Sequence, residues 1–167
     1  MNIRRATAED AADMLAIYTP LVEHTTVSFE LEPPTLEDYR QRIATVNQRH
    51  EWLVATANDE TLGFAYGTVH RHRAAYQRSA ETSVYVHEAH RGKGVARQLY
   101  ERLFERLAEL GYYNAYAGIT LPNDASVAFH AATGFSHIGV FPAVGFKFGE
   151  WRDTSWWHRQ LRTGKPA

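Results

Sequence analysis

Apolar and polar positions change period several times along the chain. Val95, Leu99, Leu103, Leu107 and Leu110 recur at spacings of four and three, while Arg97, Glu101, Arg102, Glu105, Arg106 and Glu109 fall between them. One apolar stripe against one charged face predicts an amphipathic helix, with Gly111 positioned to end it. Two earlier helices announce themselves by their first turns. Thr7 precedes Glu9 and Asp10 in "TAEDAADMLAIYTPLVEHT", and Thr35 precedes Glu37 and Asp38 in "TLEDYRQRIATVNQRH". A capping hydroxyl followed by acidic residues suits the exposed N–H groups of a helix start. "NDASVAFHAATG" predicts a fourth, short helix. Strands are expected at "NIRRAT", "EWLVATA", "TLGFAYGTVH", "AETSVYV", "YNAYAGIT", "FSHIGVFPAVGFKFG" and "WRDTSWWHRQL". "ANDET" joins the second and third as a hairpin turn, and "TVSFELEPP" is a loop. The order β-α-α-β-β-β-α-β-α-β-β predicts an α/β (α+β) sandwich, with a mixed, mostly antiparallel sheet and helices on both faces. No repeat or linker divides residues 1–167, so a single domain is expected.

Charge narrows the partners. The net charge is −1 and the pI about 6.8, so no global field favours nucleic acid or an anionic membrane, and any basic site must be local. "MNIRRATAEDAADML" lacks the apolar run of an export signal and nothing approaches a membrane span, which makes the cytoplasm the default compartment. The absence of cysteine excludes disulfides, thiolate metal sites and a cysteine nucleophile.

Between "VYV" (Val84, Tyr85, Val86) and the charged helix lies Arg91-Gly92-Lys93-Gly94-Val95-Ala96, followed by Arg97. Backbone N–H groups at a helix start attract anions, glycines permit close approach, and the basic side chains add charge. A phosphate or pyrophosphate is the natural guest; a plain strand-to-helix turn with a solvated basic cap is the competing reading. The Rossmann fingerprint is not matched, and the Walker pattern fails because Val95 follows Gly94.

Other chemistry-bearing residues are scattered. Glu81 opens a strand in which charge is otherwise unexpected; strand alternation puts it on one face with Ser83 and Tyr85, opposite Thr82, Val84 and Val86. Glu81 to Val86 spans about 16 Å. A solvated strand-end glutamate would look the same. Asn123 suits a helix N-cap. Tyr100 and His130 lie on helices, where either a structural or a chemical role fits. "HRHRAAYQR", residues 70 to 78, is basic and aromatic, but the near-neutral whole argues against nucleic acid. "HEAH" (His87 to His90) lacks the i, i+4 histidine pair of zinc proteases. His70 and His72 share a strand face without an evident third ligand, so no metal is expected. Trp151, Trp156 and Trp157 suit core packing or a dimer interface.

Strand, Arg-Gly-x-Gly-x-Ala and amphipathic helix together resemble the acetyl-CoA pyrophosphate loop of the GCN5-related N-acetyltransferases. "RAAYQRSAETSVYV", "LPNDASVAFHAATGF" and "AVGFKFGEWRDTSWW" are similar to the phosphinothricin N-acetyltransferase branch, whose members are associated with methionine sulfoximine and methionine sulfone. The loop alone marks only the superfamily; the three stretches are specific to the branch. The resemblance implies acetyl-CoA as co-substrate, direct transfer to the α-amine of a small amino acid, and a homodimer. It implies that Arg91, Gly92, Lys93, Gly94, Val95, Ala96 and Arg97 hold pyrophosphate and that Val84, Tyr85 and Val86 pair with pantetheine. Asn123 falls at a cofactor contact and Glu81 at the catalytic acid position. Tyr100 and His130 would lie near the thioester, Arg73 and Tyr76 would grip the substrate anion, and Phe29 would lid its pocket. A polyamine or a protein N-terminus as acceptor, or a non-catalytic acetyl-CoA-binding module, remain the alternatives.

Overall fold

The computed structural model describes residues 1–166. Its strands are β1 (Asn2–Arg5), β2 (Trp52–Ala57), β3 (Glu60–Val69), β4 (Ser79–Val86), β5 (Asn114–Thr120), β6 (Ser136–Lys147) and β7 (Glu150–Gln160). The helices are α1 (Ala11–His24), α2 (Leu36–Val46), α3 (Val95–Glu109) and α4 (Asp124–Ala132). Element order agrees with the sequence pattern. The strands form one sheet in the order β1-β2-β3-β4-β5-β7-β6. Only β4 and β5 run parallel; every other neighbouring pair is antiparallel.

Local chemistry explains the boundaries. Thr7 acts one turn earlier than its pattern suggests. It caps a 3₁₀ turn, Ala8–Asp10, whose Asp10 carboxylate accepts back from the Thr7 N–H at 2.8 Å, and α1 begins only at Ala11. Thr35 caps α2 by accepting from the Asp38 N–H at 3.1 Å. Asn58 and Asp59 turn the β2–β3 hairpin with φ of 52° and 62°, the left-handed pair that a two-residue hairpin favours. Gly111, at φ 89°, follows the end of α3. Leu110 departs from the predicted stripe: it is the C-cap residue and is exposed.

The helices cover both faces. α3 buries Val95, Leu99, Leu103 and Leu107, joined by Tyr100 and Phe104, against Leu53, Ala65, Ala80, Ala115, Ile119, Phe135 and Trp157. Each fully buried leucine contributes about 1.5–3 kcal/mol. On the opposite face Met14, Ile17, Tyr18 and Val22 of α1 and Tyr39 and Ile43 of α2 pack on Trp52, Val54 and Phe64. Among the described residues no helix is long and apolar enough to cross a membrane.

The feature that positions the site is a short parallel pairing. β4 meets β5 only at Ser79, Ala80 and Glu81, opposite Asn114, Ala115 and Tyr116. Beyond Glu81 the two strands separate, while β4 stays paired with β3 as far as Val86. Val84–Val86 therefore keep a strand edge without a strand partner in the middle of the sheet.

Candidate active site

The loop at the open end of β4 is shaped by its glycines. Gly92 and Gly94 have φ of 74° and 81°, which a side chain would strain. A Cβ on Gly92 would meet nothing within 4 Å, so the backbone faces open space. Gly94 is the N-cap of α3 and offers no side chain to its first N–H groups. Arg91, Lys93 and Arg97 are exposed around it, while Val95 is buried and anchors the helix start. Uncapped N–H groups, a positive helix end and three cations form an anion cradle.

The space between β4 and β5 is a narrow cleft lined by Val84, Tyr85, Tyr100, Gly118, Ile119, Asn123, Ser126 and His130, among others. Asn123 caps α4 by accepting from the Ser126 N–H at 3.1 Å. His130 Nδ1 lies 2.8 Å from the Ser126 carbonyl, which can only accept; Nδ1 therefore carries the hydrogen and Nε2 is an acceptor. The Tyr100 hydroxyl supplies that hydrogen bond at 3.2 Å. Burial drives the histidine below its ordinary pKa, against the opposing pull of the Ser126 carbonyl, and drives the Tyr100 phenol up. Both groups are neutral at pH 7.

On the far side of β4 lies a second cavity of about 370 Å³, lined by Phe29, Tyr66, Thr68, Glu81, Phe141, Val144, Thr154 and Trp156. Glu81 is held there by two donors, His70 Nδ1 at 3.0 Å and an Arg71 guanidinium nitrogen at 3.2 Å, both on Oε1. The His70 ring stacks on Tyr116 with centroids 4.6 Å apart, which fixes its direction. The cavity roof is the loop around Phe29, and three elements pin it. Tyr18 bonds Ser28 and Glu30, Arg42 pairs with Glu30, and the buried Lys147 ammonium donates to the Val22 and Ser28 carbonyls at 2.6 and 2.8 Å. Gly145 of β6 gives the Phe29 ring its seat, since any Cβ there would overlap it. Val27, Thr82, Ser83, Gly118 and Thr120 line both the cleft and the cavity. The two spaces thus meet at the point where β4 and β5 part.

A family model described as an acetyltransferase (GNAT) domain matches residues 3–156. The chain belongs to the GNAT acetyltransferase family. It is 36% identical over 165 residues to a phosphinothricin N-acetyltransferase of Streptomyces coelicolor, covering 96% of each protein. It is 34% identical to an L-methionine sulfoximine/L-methionine sulfone acetyltransferase of Salmonella typhimurium, covering 96% of this chain and 95% of that protein. Among solved structures, a GNAT superfamily phosphinothricin acetyltransferase from Sinorhizobium meliloti in complex with AcCoA superposes with a TM-score of 0.94 at 32% identity, over 99% of this chain and 92% of that one.

Within this acetyltransferase, the residues expected from sequence separate into four groups. Arg91 to Arg97 form the anion cradle, and Val84, Tyr85, Asn123, Tyr100 and His130 line the cleft. Val86 ends β4 between the two, its carbonyl within 3.5 Å of Arg91 Nε. Glu81 and Phe29 line the neighbouring cavity. Arg73 and Tyr76 do not: they line a separate space along residues 69–79, and Tyr76 approaches Glu81 only through the His70 ring, 5.8 Å from its own. Arg71 is the guanidinium that reaches Glu81. Nothing in the local pattern distinguishes it from Arg73, because the choice depends on β3 ending at Val69, one residue before the predicted strand end. His70 consequently turns to Glu81 and shares no strand face with His72. Trp156 was also missed. It lines the cavity instead of the core, with Gly118 small enough for its ring to approach: a Cβ there would lie 3.2 Å from it. Trp157 is the core tryptophan and Trp151 is exposed.

Proposed function

We propose that this enzyme is an acetyl-CoA-dependent N-acetyltransferase acting on the α-amine of a small anionic amino acid of the phosphinothricin or methionine sulfoximine/sulfone kind. The observation that carries the reading is the junction of cleft and cavity at Thr82, Ser83 and Gly118. A thioester delivered along β4 from the Arg91–Arg97 cradle arrives there facing Glu81. The names of the Streptomyces and Salmonella relatives support the substrate class.

In this reading the cradle holds pyrophosphate and the free edge of Val84–Val86 pairs with the pantetheine amides. Asn123 uses its side-chain oxygen on the α4 cap and keeps its NH₂ for the cofactor. Arg71, whose guanidinium lies 6.0 Å from the Trp156 ring centroid, offers paired donors to the acceptor's anionic group. Glu81, fixed by His70 and Arg71, takes the amine proton directly or through water. The amine nitrogen then bonds to the acetyl carbon, the carbon–sulfur bond breaks, and the sulfur leaves as a thiolate that is protonated to the free thiol. Tyr100 keeps its proton at neutral pH and, with the thioester bound, turns its one hydrogen from His130 Nε2 to the departing sulfur. With no cysteine in the chain, transfer is direct within the ternary complex.

The active form in this reading is a homodimer. Ile138, Val144 and Phe146 on β6, Phe148 in the following turn and Trp151 on β7 are each more than half exposed. β6 is also an edge strand. Large apolar side chains this exposed beside a sheet edge call for a partner, and light scattering that returned a monomer mass at working concentration would refute the dimer.

Glu81→Gln tests the chemistry. It preserves shape but cannot accept the proton, so kcat should fall ~10²–10⁴-fold with acetyl-CoA affinity unchanged, and part of the loss should return at higher pH. Thiol release across phosphinothricin, methionine sulfone and a polyamine tests the substrate class; turnover confined to the polyamine would overturn it.

A further inference from the structure

The Arg91–Arg97 cradle is preceded by a cluster that acetyl transfer does not use. His87 caps a 3₁₀ turn, Glu88–His90, by accepting the Ala89 N–H on Nδ1 at 3.2 Å. His87 and His90 are three residues apart. That spacing falls short of the i, i+4 pair that zinc proteases use on an α-helix, but the turn folds the chain back so that the His90 N–H donates to the His87 carbonyl at 2.9 Å. Their rings stand 5.7 Å apart. Glu60, from the β2–β3 hairpin, reaches the same spot, with Oε1 3.0 Å from His90 Nε2. One ligand atom from each of the three lies within 4.8 Å of the others.

We propose that Glu60, His87 and His90 form a binding site for a divalent transition-metal ion, zinc foremost, that ties the β2–β3 hairpin to the segment entering the cofactor loop. Donor chemistry selects the ion. Two imidazoles and one carboxylate suit zinc and its borderline neighbours, whereas calcium and magnesium prefer all-oxygen shells. Geometry is within reach. Tetrahedral ligand atoms at ordinary zinc distances stand about 3.3 Å apart, so the two imidazole rings and the exposed Glu60 side chain, whose ligand atoms lie within 4.8 Å of one another, draw together by rotamer adjustment to close the shell. Ligation through His87 Nε2 moves the ring hydrogen to Nδ1, which gives up the Ala89 N–H contact there, and water completes the coordination. His87 is already fixed to β3 by its N–H on the Leu62 carbonyl at 2.9 Å, so the ion would add a side-chain link beside a backbone one. None of the three residues lines the cleft or the Glu81 cavity, and the site is therefore separate from the acetyl-transfer centre.

Calorimetric titration of tag-free protein with zinc chloride tests this. One zinc per chain is expected, with affinity falling at least ~10-fold in His87→Ala and in His90→Ala, unchanged in His137→Ala, and accompanied by a zinc-dependent rise in Tm seen only where both ligand histidines remain. Retained acetyl-CoA binding in the ligand variants verifies that they are folded. Absence of saturable zinc binding, or zinc binding that survives both substitutions, overturns the proposal.

Discussion

Tyr100→Phe removes one oxygen from the cleft and should be felt as stability as well as rate. The hydroxyl, on a side chain only 1% exposed, is the hydrogen-bond donor to His130 Nε2 at 3.2 Å. Its loss leaves a buried nitrogen without a partner, which costs ~1–3 kcal/mol. For a protein of this size each kcal/mol moves Tm by about 2–4 °C, so melting should drop by roughly 2–12 °C. His130→Phe strands the hydroxyl instead and should cost about the same. The double variant removes both polar groups, and most of the penalty should vanish, so the coupling free energy in a thermodynamic cycle should approach the sum of the two single losses, ~2–6 kcal/mol. Chemical denaturation of the four proteins supplies the cycle. Acidity gives a second readout. Burial depresses His130 in the folded state, so the unfolded chain binds the extra proton first; His130 thus contributes stability that is present above the ordinary histidine value of 6.5 and is lost as pH falls below it toward the folded pKa. The parent should lose more stability than His130→Phe across that range, with His50, depressed by burial in the same direction, contributing to both. A Tyr100→Phe protein that melts with the parent, or single-variant losses that simply add, would refute the arrangement.

Gly94→Val forces a β-branched residue to φ 81° and should weaken acetyl-CoA binding by ~1–3 kcal/mol; unchanged affinity in a folded variant removes the cradle from the cofactor site. Gly145→Ala pushes the Phe29 ring off its seat and should raise the acceptor KM while leaving the acetyl-CoA KM alone, so an equal rise in both would refute the lid. Lys147→Met leaves the Val22 and Ser28 carbonyls without their buried donor. It should cost ~1–3 kcal/mol in denaturant and raise the acceptor KM in parallel, and a variant that changes neither would show that the lid is held without it.

The elements were legible because their signals are local. A capping threonine, an Asn-Asp turn and a leucine stripe act within a few residues of themselves, and each was found near its expected place. The glycine loop was legible for the same reason, since Gly92 and Gly94 answer to backbone dihedrals. Partners of Glu81 were not, because His70 and Arg71 arrive from the end of another strand and their direction is set by stacking on Tyr116 of a third. Strand order was equally hidden. β7 inserts between β5 and β6, which turns Trp156 toward the cavity and leaves β6 as the edge. Alternation along β7 sorts its residues onto two faces but does not say which neighbour each face will meet.

The three-residue contact between β4 and β5 makes the sheet two leaves sharing a short spine. One leaf is β1 to β4 and the other is β5, β7 and β6. Their backbones bond to one another across Ser79–Glu81 and Asn114–Tyr116. Past that spine no inter-leaf ladder has to be broken for the pages to spread, so the mouth of the cleft can widen by a small rotation while each leaf keeps its internal hydrogen bonds. A guest that pairs with Val84–Val86 would then behave as a bookbinder's thread. Amide exchange should slow along the facing margins of the two leaves when it binds and stay nearly constant within each leaf.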